Sequence, residues 1–113
     1  MEWGDAMDIY VPQSDDVTVH FTIGTSGYML HLYYWRGLTY GDVYMGNTAI
    51  YTGTRIMTNR WILPKYRMGN GGNFRFEAYA PDAKDYVEYK GFNTKFRLVA
   101  YTAAEFAALE ENG

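Results

Sequence analysis

Beginning at Val17 the chain alternates apolar and polar positions with a period of two. Val17, Val19, Phe21 and Ile23 fall on one parity and Thr18, His20 and Thr22 on the other, the pattern of a half-buried strand. Gly24-Thr25-Ser26-Gly27 supplies a turn with two conformationally permissive residues, and Tyr28 to Trp35 reads as the returning strand. Tyr28, Leu30, Leu32 and Tyr34 share one face of it; Met29, His31, Tyr33 and Trp35 share the other. Neither face is properly polar, so this strand is expected to be central in its sheet or covered on both sides.

Glycines at 37, 41, 46 and 53 then cut the chain into short pieces. Asp42–Met45 and Ala49–Tyr51 are expected as two strands around Gly46-Asn47-Thr48, with Arg55 to Thr58 continuing after Gly53. Trp61, Ile62 and Leu63 cluster just before Pro64, where either a helical turn or a strand end fits. The glycine- and asparagine-rich stretch from Met68 to Asn73 reads as a loop. Phe74, Phe76 and Ala78 alternate with Arg75, Glu77 and Tyr79 as a further half-buried strand, and Pro81 to Asp85 is a polar turn. Lys95 to Tyr101 makes the last strand, with Phe96, Leu98 and Ala100 opposed to Lys95, Arg97 and Val99.

The tail changes character. Thr102-Ala103-Ala104-Glu105 has the form of a capping box, in which threonine and glutamate reciprocally satisfy free amides at a helix start. Alanine, leucine and glutamate follow, so a short helix is expected at about 103–111, with Phe106 and Leu109 placed to dock on the sheet. At the other end, residues 1–16 have no sustained periodicity and read as an extended arm, with Trp3 and Tyr10 implying that it lies against this subunit or a neighbour. The fold class is therefore all-β, mainly antiparallel: one domain over 17–113, a small barrel or sandwich, with an N-terminal arm and a C-terminal helix.

Composition narrows what such a domain can do. At 113 residues there is room for one core. No cysteine is present, so neither a disulfide nor a thiolate enters the chemistry. Ten basic against thirteen acidic side chains give a formal charge of −3, which argues against a specific nucleic-acid site. No run approaches the ~18 apolar residues of a membrane span, and the acidic start lacks the form of a secretory signal. Aromatic residues make up 19% of the chain, with 12 tyrosines, more than one small core accommodates.

Candidate chemistry is sparse. His20 and His31, on neighbouring strands, are the only histidines, and a metal would need a third ligand from elsewhere. Catalysis would require one of them beside a carboxylate in a pocket. The simplest reading is a surface His20 and a packed His31. The carboxylates, among them Asp15, Asp16, Asp42, Glu77 and Glu88, are scattered. Gly69 to Asn73 lacks the lysine and hydroxyl residue of a phosphate loop and reads as a surface loop. No catalytic residue, metal or cofactor is expected. The tyrosines admit three readings: a protein interface, an aromatic core, and a stacking platform for sugars or unpaired bases. As protein-contact residues we single out Trp3, Tyr10, Tyr33, Trp35, Tyr40, Tyr44, Trp61, Tyr66 and Arg67.

Taken in order, these pieces resemble the plug proteins of phage tail baseplates. The resemblance runs over most of Val17 to Glu111. It rests on the strand Tyr28-Met29-Leu30-His31-Leu32-Tyr33-Tyr34-Trp35-Arg36, the element Gly53-Thr54-Arg55-Ile56, the pairs Ile62-Leu63 and Tyr66-Arg67, and the ending from Gly91 through Leu98-Val99-Ala100-Tyr101-Thr102-Ala103-Ala104-Glu105. The chain departs from that pattern in its longer N-terminal arm and its tyrosine load. The resemblance implies a virion protein of the baseplate or tail tip, made in the host cytoplasm, filling or bridging the joint between tube, hub and spike. It implies several copies, in a ring of three or six, and gives the arm a neighbour to reach. A carbohydrate-binding module is the alternative that the aromatic load keeps open.

Overall fold

In the computed structural model, which describes residues 7–68 and 71–112, the alternating segment becomes strand β2 (Asp16–Ile23), and β1 (Met7–Ile9) precedes it. β2 pairs antiparallel with β3 (Ser26–Trp35) in unbroken register from Asp16↔Tyr33 to Ile23↔Ser26. The turn has only two residues, Gly24 and Thr25. Gly24 takes φ +61°, the left-handed value required of the first central residue in a type II′ hairpin.

The next hairpin is longer than the glycine pattern implies. β4 (Leu38–Met45) starts four residues before Asp42, because Arg36 at φ +52° and Gly37 at φ +82° form a two-residue connection with both centres left-handed. That is the type I′ geometry, whose twist matches that of paired strands. β5 (Thr48–Arg55) runs straight through Gly53, which takes φ +66° within a stretch of shifted register, its N–H donating to Asp42 Oδ1 at 2.7 Å. A β-bulge therefore absorbs the glycine that had looked like a break.

Two sheets result, in the orders β2-β3-β4-β5 and β1-β7-β6, the second built with β6 (Asn73–Ala78) and β7 (Phe96–Tyr101). They do not close on one another, so of the two expected architectures the barrel is excluded. Their facing sides share one core: Val19, Phe21, Leu30, Leu32 and Val43 from the first, Phe74, Phe76, Leu98 and Ala100 from the second. Phe74 bridges them, edge-on to Phe21 at 5.0 Å and to Tyr28 at 5.6 Å between ring centres. β3 is central in its sheet, as its apolar character implied, although only its Tyr28–Leu30–Leu32 face is sealed.

The N-terminal segment lies on its own chain from residue 7 onward. β1 pairs with β7, Val11 is fully buried, and Asn93 clamps it from both sides: its Oδ1 accepts from Val11 N at 3.0 Å and its Nδ2 donates to Val11 O at 2.6 Å. Gln13 adds bonds of 3.1 Å to the carbonyls of Lys90 and Phe92. The part of the expected arm that contains Trp3 lies outside the described residues.

Trp61 to Leu63 is neither a helical turn nor a strand. It covers the edge of β6, with Ile62 N donating to Phe74 O at 3.0 Å, and the helical turn α1 (Lys65–Met68) follows Pro64 instead. Asn73 secures this cover. Fully buried, it accepts from Leu63 N at 3.1 Å and donates to Leu63 O at 2.8 Å.

The capping box forms as read: Thr102 N donates to Glu105 Oε1 at 2.7 Å, Glu105 N to Thr102 Oγ1 at 3.1 Å, and α2 (Ala103–Asn112) follows. Only Phe106 docks, against Trp61 at 4.7 Å; Leu109 remains exposed. Trp61 in turn packs on Tyr101, and the Arg75 guanidinium lies over its ring at 4.3 Å. The Tyr101 hydroxyl donates to Glu77, which also accepts from Arg75 Nε at 2.9 Å. Burial first, and then the bond to Glu77, pushes the Tyr101 phenol up to about 12.

Two outcomes follow from these contacts. Replacing Asn73 by Ala leaves the buried Leu63 N–H and C=O unpaired and is expected to cost about 2–3 kcal/mol, seen as a lower midpoint in thermal unfolding. For Tyr101 the raised phenol value means that the fold favours the neutral form. Its contribution is intact below the unfolded value of 10.0 and is lost as pH rises through about 12. Tyr101→Phe should therefore be less stable than the parent by about 1 kcal/mol at neutral pH, with the gap closing between pH 10 and 12 in denaturant titrations.

Candidate protein-interaction surface

Because side chains alternate along a strand, sealing one face of β2–β5 commits the other parity to the outside. β3 contributes Met29, His31, Tyr33 and Trp35, and β4 contributes Leu38, Tyr40, Asp42 and Tyr44. The register sets them side by side: Met29↔Tyr44, His31↔Asp42, Tyr33↔Tyr40, Trp35↔Leu38. Four of the residues singled out from the sequence, Tyr33, Trp35, Tyr40 and Tyr44, thus share one sheet face.

Most of this face is one stacked array. Tyr33 lies between His31 at 5.2 Å and Tyr40 at 5.8 Å, nearly parallel to the latter. Tyr40 meets Trp35 edge-on at 6.1 Å, and the Arg36 guanidinium covers the Trp35 ring at 4.6 Å. Trp35 nevertheless keeps 54% of its surface exposed. Tyr33 and Tyr40 set their ring faces against one another, and Arg36 covers a face of Trp35. A sugar platform needs open ring faces, whereas a protein contact is served by preordered aromatic edges with polar tips.

The other candidates lie elsewhere. Trp61 is enclosed by Phe106, Tyr101 and Arg75 as described above. Tyr66, on α1, is 77% exposed with the Arg67 guanidinium 5.5 Å from its ring centre, and Tyr10 is 72% exposed beside Arg97. Trp3 falls outside the described residues. Composition alone did not pick out Tyr34, which meets Tyr89 at 5.3 Å, or Tyr79, which carries the Arg97 guanidinium 3.9 Å over its ring. Tyr34 breaks the burial of its own face at the strand end, a signal already present in its place beside the Arg36-Gly37 turn.

His31 is half-buried and lies between two carboxylates. Its Nε2 lies 2.8 Å from Asp16 Oδ1 and its Nδ1 3.6 Å from Asp42 Oδ2. The two carboxylates approach from opposite sides of the ring, so the three groups do not converge on a point where an ion or substrate would sit. His20 borders a shallow groove of about 720 Å³ whose lining, which includes Tyr28, Met29, Tyr44 and Asn47, holds no carboxylate. Among the described residues no three His, Asp or Glu side chains gather as a metal site would require. Burial, and secondarily the Asp42 carboxylate with the phenols of Tyr40 and Tyr44, raises the Tyr33 phenol above its ordinary value.

The exposed face of this small two-sheet β domain carries an aromatic array, a kind of surface that serves protein contacts. The family model described as cyanophage baseplate Pam3 plug gp18 matches residues 6–103 of the 113, and the chain belongs to that family. The match begins before β1, so the segment that had looked like a departure from the pattern is part of it from residue 6. Among curated proteins, none matches the chain.

Asp42 links the array to the bulge. Asp42→Ala removes the acceptor of Gly53 N and is expected to destabilise the fold by about 1 kcal/mol. It also removes one of the causes that raise Tyr33, so Tyr33 should ionise at a lower pH than in the parent, read by NMR titration of its ring resonances.

Proposed function

We propose that this chain is a structural component of a phage tail baseplate that fills or bridges the joint between tube, hub and spike, acting through protein contacts and without catalysis. The observation that carries the reading is the contrast between the two faces of the β2–β5 sheet. One face is sealed in the core. The other presents an aromatic array whose side chains pack on one another, and such packing limits the rotamer entropy lost on docking. Membership of a baseplate plug family supplies the class of partner: other proteins of the tail baseplate.

In this reading Trp35, Tyr33, Tyr40 and Tyr44 form the principal contact, and Tyr66 with Arg67 on α1 and Tyr10 beside β1 form further ones. Trp61 serves the fold rather than the interface. The chain is made in the host cytoplasm and becomes part of the virion at the tail baseplate, in several copies that match a threefold or sixfold tail symmetry. Nothing in the aromatic geometry favours carbohydrate binding.

The experiment is to carry Trp35→Ala together with Tyr40→Ala in the phage and to count copies of this chain per purified tail by quantitative mass spectrometry. Loss of such anchors typically weakens an interface by about 10- to 100-fold, so tails depleted of the chain are expected while the isolated variant still folds. Tails that hold it at the parental level would remove the aromatic face from the interface.

A further inference from the structure

Charge is segregated along this chain. The first 35 residues carry five carboxylates (Glu2, Asp5, Asp8, Asp15, Asp16) and neither Lys nor Arg, whereas no carboxylate occurs between Asp42 and Glu77, a stretch holding Arg55, Arg60, Lys65, Arg67 and Arg75. The fold turns this into a polarity across one sheet. β2, led by Asp15 and Asp16, is one outer edge of the four-stranded sheet; β5, ending in Arg55 with Arg60 just beyond, is the opposite edge.

The two ends meet the same row. Asp16 pairs with Tyr33, Tyr33 with Tyr40 and Tyr40 with Arg55, so one line of outward-facing side chains begins in a carboxylate and ends in a guanidinium. Three strand spacings separate them, about 14 Å, so they cannot pair within one chain. Asp16 and Arg55 are both exposed, and Arg55 enters no ion pair among the described residues.

Among the described residues no hydrogen bond reaches the outward amides and carbonyls of Thr18, His20 and Thr22 on β2, whereas Asp16 N donates to Ser14 Oγ at 3.3 Å and Asp16 O accepts from it at 3.0 Å. Tyr34 N donates to Asp15 O, and the Ile23↔Ser26 pair closes a two-residue turn. The alternate residues Thr18, His20 and Thr22 therefore turn their amides and carbonyls away from β3. β2 has no bulge, proline or lysine to protect it. By contrast the chain covers the β6 edge with its own residues 59 to 63, through bonds such as Asn59 N to Phe76 O at 2.7 Å. On β5 the register irregularities end before Thr54 and Arg55, where regular pairing resumes.

We propose that the β2 edge of one copy docks against the β5 edge of a second copy, extending the sheet head to tail with Asp16 of one chain beside Arg55 of the next. β2 and β5 run antiparallel within the sheet order, so the continuation is itself an antiparallel pairing. The contact is heterologous, each copy offering one acidic and one basic edge, and repetition closes into a ring or runs on as a filament. The proposal rests on the assembly reading above and names one partner at a surface distinct from the aromatic array.

Light scattering and sedimentation of the purified chain test it. The parent is expected to self-associate. Asp16→Arg alone and Arg55→Asp alone, which each place like charges together, should weaken association at least ~10-fold. The doubly exchanged Asp16→Arg/Arg55→Asp variant should recover it. His31→Gln, which removes the internal partner of Asp16 but keeps the edge charge, should associate like the parent. Because the chain has no cysteine, Asp16→Cys/Arg55→Cys can form only bonds introduced by design, and at about 14 Å these must join different copies. Oxidation should give a ladder of covalent multimers.

A parent that stays monomeric, a double exchange that fails to rescue, or a cysteine pair that gives no multimers would overturn the edge pairing. Those results would leave the baseplate role standing, because that role is read separately from the presence of the chain in purified tails.

Discussion

The register of the β3–β4 hairpin is the constraint on which the rest of this molecule depends. In a strand the side-chain period is two, so a slip of one residue moves every side chain to the opposite face. The connection at Arg36 and Gly37, both left-handed, allows only two residues between the strands and fixes Trp35 opposite Leu38. From that one pairing come the stack of Tyr33 on Tyr40, the placing of His31 beside Asp42, and the burial of Leu30 next to Val43. Arg36 is unusual in this position, since a side chain there bears a steric cost that glycine or asparagine largely avoids. Its guanidinium covers the Trp35 ring, so the strained residue also helps order the exposed array.

The tyrosine excess resolves once the two phenyl-bearing residues are considered separately. All six phenylalanines are buried, whereas of the twelve tyrosines Tyr28 alone reaches the fully buried core. Burying a phenol without a partner is costly and an exposed one has water, and Tyr28 is the exception, its hydroxyl buried with no hydrogen-bond partner among the described residues. The core is therefore closed by Phe21, Phe74, Phe76, Phe92, Phe96 and Phe106, and the tyrosines coat it from outside. For a domain this small, such a coat supplies apolar contact area without the solubility cost of exposed phenylalanine.

Much of this was legible in the chain. Period-two alternation located β2, β3, β6 and β7 within one or two residues, and the Thr102–Glu105 capping box located α2 because its signal is local and reciprocal. Glycine was the misleading element. Gly53 was read as a break when it sits in a bulge, since a glycine needed at positive φ within a strand looks the same in sequence as one that ends it. The N-terminal segment escaped for a different reason. Three residues of β1 are too few to show a period, and what holds the segment is Asn93, more than eighty positions away. Leu109 shows the limit of spacing arguments: it lies three residues from Phe106, yet Trp61 offers a docking surface to Phe106 alone. For the surface, residue type identified Tyr33, Trp35, Tyr40 and Tyr44, but only the register could show that they adjoin while Trp61 turns inward.

The treatment of sheet edges separates what serves folding from what serves assembly. An open edge is a hazard for any β protein, and this chain has the means to cover one, as residues 59 to 63 do along β6 with Asn73 locking them in place. That cover uses a tryptophan, a buried asparagine and a proline-led turn to protect six residues. Among the described residues no comparable cover lies along β2, an eight-residue strand. Asp16, at its start, is the one carboxylate on the strand. A guanidinium suits that carboxylate as a companion, and the opposite margin of the sheet provides one in Arg55. A carboxylate on one edge and a guanidinium on the other favour association in one orientation, which is what a part that must occupy a defined place in a larger machine requires.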